Sequence, residues 1–315
     1  MKILVTGGAG FIGSNLVAFL LRQPEVELVR VLDNLSTGSR ENVEEFLAHE
    51  KYEFLEGDIR KFEVCLEACR GIDRIAHQAA LGSVPRSLEN PMMTNEVNVG
   101  GTVNIFYAAK ASGIDRVVYA ASSSTYGDST ELPKVEDRIG KPLSPYAVTK
   151  LVNEQYAEVF NMAYGTDFIG LRYFNVFGPR QSPRGAYAAV IPIFFSLALR
   201  GQSPTINGDG SFSRDFTFIE NVVQANYLAL TTKNKAALNE VYNVAFGART
   251  TLNELWEGIQ EVTGTTVGAT YGPERKGDIP HSHADISKAK SLLGYAPTVD
   301  IREGLRKSLE WYKNL

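Results

Sequence analysis

Residues 6–13 read TGGAGFIG, and they stand between the apolar run KILVT and the amphipathic stretch FIGSNLVAFLLRQ. A strand that turns through glycines into a helix is the opening unit of a dinucleotide-binding fold. Gly7 allows the tight turn, Gly10 lets the backbone approach a pyrophosphate, and Gly13 lets the helix pack closely. Phe11 and Ile12 open the helix, whose N-terminus faces the phosphates. Twenty residues beyond Gly13, Asp33 closes the second apolar run, LVRVLD, with Asn34 beside it. An acid there suits the ribose 2′-hydroxyl of NAD and repels the extra phosphate of NADP. Asp58 and Ile59 follow the third run at a place where an adenine is held, although a turn aspartate explains Asp58 equally well. Gln78, after the fourth run, completes the residues expected against the cofactor.

Outward from this loop, short apolar runs alternate with longer amphipathic stretches: LVRVLD, YEFLEGD, DRIAHQAA, RVVYAASS, DFIGLRYF and later VYNVA. Such alternation predicts βαβ units and a parallel sheet. The fold class expected is α/β, a Rossmann-type doubly wound parallel sheet with a smaller C-terminal α/β cap that binds substrate. A polar helix is expected after LVRVLD, and one long helix over 97–113 ending at Gly113. Beyond Phe174 the chain grows richer in Gly, Pro and Arg. Helices are expected near 188–200, 219–232, 251–263, 285–293 and 301–314. The division is 1–174 for the NAD-binding domain, with returning segments near 214–246, and 175–315 mainly for the cap.

Composition narrows the function. The 315 residues are 44% hydrophobic and 22% charged, with a formal net charge of −4, which argues for a folded globular chain without a broad basic face for nucleic acid. A small-molecule substrate is expected. No apolar run reaches the length of a membrane span, and the N-terminal run is too short for a signal peptide. Cys65 and Cys69 lie one helical turn apart, poor geometry for a disulfide, so two reduced thiols in a cytoplasmic protein are expected. The histidines His49, His77, His281 and His283 supply only an isolated HxH at 281–283, and no metal is assigned.

Two further stretches carry chemistry. AASSSTYGD, residues 120–128, ends the fifth run of the predicted sheet, where hydroxyls face a ligand bound beyond the strand ends. SPYAVTK, residues 144–150, places Tyr146 and Lys150 four apart, hence on one helix face. A cation beside a phenol favours the phenolate. Glycine loop, strand-end serines and Tyr with Lys all converge on one cleft.

The combination TGGAGFIG, SSSTYG, YAVTK and RYFNVFGPRQ resembles the extended short-chain dehydrogenase/reductase family, in its nucleotide-sugar epimerase branch. INGDGSFSRDFTFIENV and ERKGDIPHSHADISKAKSLLGYAP extend the likeness along the whole chain. The resemblance implies that Tyr146 is the acid/base. Lys150 would bind the nicotinamide ribose and lower the Tyr pKa, and Ser122 would hold the reacting hydroxyl. Ser123 and Ser124 would touch the sugar. Asn175, Arg214 and Arg275 would grip a diphosphate, Asp278 a ribose, and the backbone of Ala189 and Val190 a uracil. No carboxylate lies between Ser122 and Tyr126, which argues against the dehydratases and decarboxylases of the branch. What remains is a 4-epimerase, in which a 4-keto sugar forms, turns over and is reduced on its other face. Ser282 stands where a bulky Tyr occupies enzymes limited to UDP-glucose and UDP-galactose. A serine leaves room for an N-acetyl group, so UDP-N-acetylglucosamine and UDP-N-acetylgalactosamine are the expected pair. UDP-glucose or UDP-glucuronate remain alternatives, Arg184 being the candidate cation for a carboxylate. A non-catalytic NAD-binding protein is disfavoured because Tyr146 and Lys150 are both present. The resemblance also implies a homodimer through helices near 97–112 and 146–163.

Overall fold

The computed structural model describes residues 1–184, 188–274 and 279–315. The first half delivers six strands: β1 (Lys2–Thr6), β2 (Leu28–Asp33), β3 (Tyr52–Glu56), β4 (Arg74–His77), β5 (Arg116–Ser122) and β6 (Asp167–Tyr173). Helices α1 (Phe11–Leu20), α2 (Phe62–Ala68), α3 (Val84–Glu89), α4 (Pro91–Asn95), α5 (Thr102–Ala111) and α6 (Pro145–Tyr164) lie between them. The second half carries β7 (Val176–Phe177), α7 (Val190–Leu199), β8 (Thr205–Asn207), β9 (Ser213–Arg214), β10 (Thr217–Phe218), α8 (Ile219–Thr231), β11 (Glu240–Val244), β12 (Thr250–Thr251), α9 (Leu252–Thr263), β13 (Thr270–Gly272), α10 (Ser287–Leu293) and α11 (Ile301–Lys313).

Among the described residues one seven-stranded sheet runs in the order β11-β6-β5-β4-β1-β2-β3, with every neighbouring pair parallel. The order reverses between β1 and β4, and that switch point opens a crevice beyond the strand ends. Alternate residues of β1 feed two cores, Ile3 and Val5 on one face and Leu4 on the other. Leu16 and Val17 of α1 with Val222 and Ala225 of α8 close the first core. Cys65 of α2, Phe106 of α5 and Phe160 of α6 close the second. A sheet buried on both faces needs continuous apolar strands, which is why KILVT and RVVYAAS read as they do.

Local signals set the elements that matter for the site. Ser144 caps α6 by accepting from the Ala147 N–H at 3.2 Å, and Pro145 takes the first helical position, where a missing N–H costs nothing. Thr251 and Glu254 form a capping box at α9. In the cap, α7, α9 and α11 pack together, with Phe194 edge-on to Trp256 and Phe195 stacked on Tyr312.

Two expectations need correction. The polar stretch after β2 forms two short 3₁₀ turns, Arg40–Asn42 and Glu44–Phe46, instead of an α-helix. Its backbone is tied to the glycine loop, since the Ser39 N–H and the Asn42 amide both donate to the Ala9 carbonyl. The long helix over 97–113 begins earlier, at Pro91, and widens into a π-turn over Glu96–Gly101 before α5. Gly101 is pressed against Ile59, where a Cβ would lie 2.5 Å from the side chain.

Candidate active site

The glycine loop folds as the spacing predicts. Gly7 has φ +69°, a left-handed turn, and its N–H donates to the Leu32 carbonyl at 2.8 Å. A Cβ on Gly13 would fall 2.1 Å from the Gly7 carbonyl, so α1 is drawn tightly onto the loop itself. The loop, Asp33, Asn34, Asp58, Ile59 and Gln78 line one cavity of about 550 Å³, and Tyr146 and Lys150 close its far end.

Asp33 is buried, and its carboxylate accepts from the Ala9 and Leu35 N–H groups at 2.9 and 2.8 Å. Burial pushes its pKa up, and these backbone donors work in the opposite direction. Asp58 differs. The Arg60 guanidinium grips its carboxylate through several N–H groups, at 2.6 Å for the shortest, and holds its pKa down at about 2. Asn34 donates to the same carboxylate at 3.0 Å. Gln78 is fixed at both ends: Tyr173 donates to its carbonyl oxygen and its amide donates to Asn226, each at 3.0 Å. A left-handed glycine turn at a helix start, with a buried acid at the end of β2, fits NAD.

The reactive groups stand where β5 and α6 meet. Ser122 is the last residue of β5, and its Oγ accepts from both the backbone and the hydroxyl of Ser124, at 3.1 and 2.9 Å. Tyr146 and Lys150 project from the first turns of α6. Lys150 is buried, donates to the Ala120 carbonyl at 2.7 Å, and lies 6.0 Å from the centre of the Tyr146 ring. Burial pulls its ammonium down to about 8. The expected lowering of the tyrosine pKa is not what this geometry gives. Burial pushes Tyr146 up, opposed by a hydrogen bond with Ser122, while the Lys150 ammonium donates to the Ala120 carbonyl.

A second cavity of about 690 Å³ shares Ser122, Ser123 and Asn175 with the first. Ser124, Lys134, Arg214, His281 and Ser282 line it. Asn175 sits at φ +35° and donates to the Asp215 carbonyl at 3.1 Å. Arg214 donates to the carbonyls of Ser213 and Pro280. Asp215, fully buried, accepts from the N–H groups of Phe246, Gly247 and Ala284, so one carboxylate ties three chain segments around the chamber. Burial pushes it up to about 6.

Some predicted residues are elsewhere. Ala189 and Val190 cap and open α7 and line neither cavity. Arg184 donates to the Leu315 carbonyl and lines a separate surface hollow with Arg200 and Lys313, so it is not the cation of the sugar chamber. Arg275 and Asp278 lie outside the described residues. The paired histidines face different partners, His281 bonding Ser213 and His283 the Gly247 carbonyl. Sequence reasoning missed Lys134, Asp215 and the 79–84 loop that lines the first cavity. No local pattern marks the first two, whose positions depend on distant loops.

A doubly wound sheet with a glycine turn, a strand-end acid and a Ser, Tyr and Lys cluster defines an NAD-dependent enzyme of the extended short-chain dehydrogenase/reductase type. The family model described as the NAD dependent epimerase/dehydratase family matches residues 3–245. The chain is 37% identical over 316 residues to the UDP-glucose 4-epimerase of Mycolicibacterium smegmatis, covering 100% of this chain and 99% of that one. The UDP-N-acetylglucosamine 4-epimerase of Methanobrevibacter ruminantium, solved with UDP-N-acetylmuramic acid, superposes with a TM-score of 0.93 at 38% identity, over 99% and 98% of the two chains. The Thermus thermophilus UDP-glucose 4-epimerase, solved with NAD, gives 0.88 at 35% identity, over 99% of each. The chain belongs to the NAD dependent epimerase/dehydratase family. It uses NAD, and these end-to-end relatives are UDP-sugar 4-epimerases, which are isomerases.

Proposed function

We propose that the protein interconverts UDP-N-acetylglucosamine and UDP-N-acetylgalactosamine by epimerisation at C4. The observation that carries this reading is Ser282, a small side chain in the wall of a roomy chamber that also holds Ser122, Ser123 and Ser124. A pocket selects by the space it leaves beside the ring. UDP-glucose is a smaller fit for the same chamber.

NAD, when bound, takes a hydride from C4 and returns it to the opposite face of the 4-keto sugar. Tyr146, as phenolate, takes the proton of the 4-hydroxyl and later gives it back. Ser122 holds that oxygen in line. Lys150, buried and anchored on the Ala120 carbonyl, keeps N–H donors for the nicotinamide ribose and for the phenolate that forms beside it. Gly7, Gly10, Phe11, Ile12 and Gly13 hold the pyrophosphate, and Asp33 and Asn34 the adenosine ribose. Asp58, Ile59 and Gln78 border the rest of the cofactor. Asn175 and Arg214 take the sugar diphosphate, Arg275 is assigned to it as well and Asp278 to the ribose, and the backbone of Ala189 and Val190, at the start of α7 beyond the two cavities, is assigned to the uracil. The segment 1–174 thus carries NAD and 175–315 mainly the nucleotide sugar.

Exposed apolar side chains along α5 and α6, among them Tyr107, Val148, Val159, Met162 and Tyr164, support a homodimer through these helices. Cys65 and Cys69, buried and unpaired, support a cytoplasmic setting.

The test is turnover of purified protein on UDP-N-acetylglucosamine and UDP-glucose in parallel, without added NAD, with products read by proton NMR. Faster conversion of the acetylated sugar is expected. Turnover of UDP-glucose alone would remove the gate argument, and no turnover of either sugar, with or without NAD, would remove the neutral-sugar reading and bring UDP-glucuronate next.

A further inference from the structure

The sugar chamber contains a charge that the 4-epimerase reading leaves unused. Lys134 lines it with a side chain only 5% exposed. Its backbone is laced to the loop that carries Ser282: the Lys134 N–H donates to the His283 carbonyl at 2.7 Å, and the Asp285 N–H donates to the Lys134 carbonyl at 2.9 Å. Lysine and gate serine therefore stand on adjacent segments of one wall. The ammonium donates to the Ser129 carbonyl, and the Ser129 N–H in turn donates to the Tyr126 carbonyl. That places the charge beside the chain just past the serine turn 122–126. Arg214, expected on the diphosphate, belongs to a different element, β9.

No carboxylate among the described residues forms an ion pair with Lys134. Glu131 pairs with Arg138, and Glu136 accepts from the Asn243 N–H. Burial pulls the ammonium pKa down, and the nearby Glu131 carboxylate opposes this only in part. A buried cation of this kind is costly unless it is paired, and one carbonyl leaves further N–H donors for a ligand. An anion seated beside it restores the balance through a charge-assisted hydrogen bond.

We propose that Lys134 is a specificity-determining residue that receives a carboxylate carried by the hexose, so that the chamber takes acidic UDP-sugars. The inference rests on the UDP-hexose reading of this site and extends it. The carboxylate has two sources, a uronate at C6 or an acidic ether arm on the ring, and the two are separated below.

The experiment uses the full chain with NAD, as wild type, K134M and K134R. Dissociation constants for UDP-glucuronate, UDP-N-acetylmuramic acid and neutral UDP-N-acetylglucosamine are measured by calorimetry at one ionic strength. In K134M the affinity for an acidic sugar, relative to the neutral one, is expected to fall about tenfold or more, the size of a hydrogen bond to a charged group. K134R restores the ratio. Which acid loses affinity identifies the source of the carboxylate. An unchanged ratio in K134M overturns the inference, and so does a wild type that binds the neutral sugar but neither acid. If wild type binds none of the three, the UDP-hexose reading itself fails. Retained NAD binding in K134M and the K134R rescue separate lost recognition from lost folding.

Discussion

The two chambers of the cleft share a wall and are built by opposite means. The cofactor chamber rests on backbone: a left-handed glycine, a carbonyl pressed against Gly13 and an acid held by N–H groups within one βαβ unit. The sugar chamber rests on side chains and on long-range pairings, such as 134 with 283 and 215 with 247 and 284. A frame made of backbone accepts one ligand class and tolerates little change. A frame made of loop side chains can alter its ligand by single substitutions.

The largest effect should come from the far end of the cofactor chamber, where Tyr146 stands. Tyr146→Phe removes the acid/base, and kcat is expected to fall by about 10²–10⁴. NAD affinity, measured by calorimetry, should change little. A loss of both would mean that the phenol holds the cofactor chamber together.

Gly13→Ala attacks the backbone-built side alone. The new Cβ would meet the Gly7 carbonyl at 2.1 Å, so the loop must move. NAD affinity is expected to drop by roughly 10–100-fold, the scale of overpacking strain. UDP-sugar binding should survive. An unaltered NAD affinity would show that the loop is softer than its packing suggests.

Ser282→Tyr attacks the other side. It should lower kcat/KM for UDP-N-acetylglucosamine by about 10–100-fold while sparing UDP-glucose, as a filled pocket discriminates by size. Equal loss on both sugars would sharpen nothing and would remove Ser282 as the gate. Asp215→Asn, a step further from the sugar, turns an amide toward backbone donors that need an acceptor. The KM for the UDP-sugar is expected to rise about tenfold, with NAD affinity within about twofold.

The smallest effect is a pH slope. Lys150 titrates near 8 in the folded chain, below its ordinary value of about 10.4, so between these the unfolded chain binds more protons. Stability should therefore rise with pH across that window, relative to Lys150→Met. Denaturation midpoints of the two proteins from pH 8 to 10, without added cofactor, check the sign. Parallel curves would place the lysine in contact with water.

The same contrast governs what the sequence makes legible. The glycine turn, Asp33, Ser122, Tyr146 and Lys150 are visible because each belongs to a local pattern whose geometry follows from a strand end or one helical turn. The seven strands are legible for a related reason, since a sheet covered on both faces demands apolar runs. Lys134 and Asp215 are not legible. One is an ordinary loop lysine until residue 283 pairs with it, and the other is an ordinary acid until two distant segments converge on it. The π-turn before α5 is not legible either, and Gly101 within it packs against Ile59, a residue beyond another strand end. Arg184 misleads for the same reason, since an arginine in a proline-rich loop does not announce where the loop lies.

The return of β11 to the sheet has a consequence for synthesis. Along its whole length β6 pairs with β5 on one side, but its other edge is covered only by Glu240–Val244, roughly seventy residues later. At ribosomal speeds of about 5–20 residues per second, that edge stays bare for several seconds after β6 has emerged. An uncovered parallel strand is a template for stray pairing. A nascent chain halted before residue 240 should thus be a ready client for chaperones, and lengthening the segment between β6 and β11 would tax the birth of the molecule before it touched its chemistry.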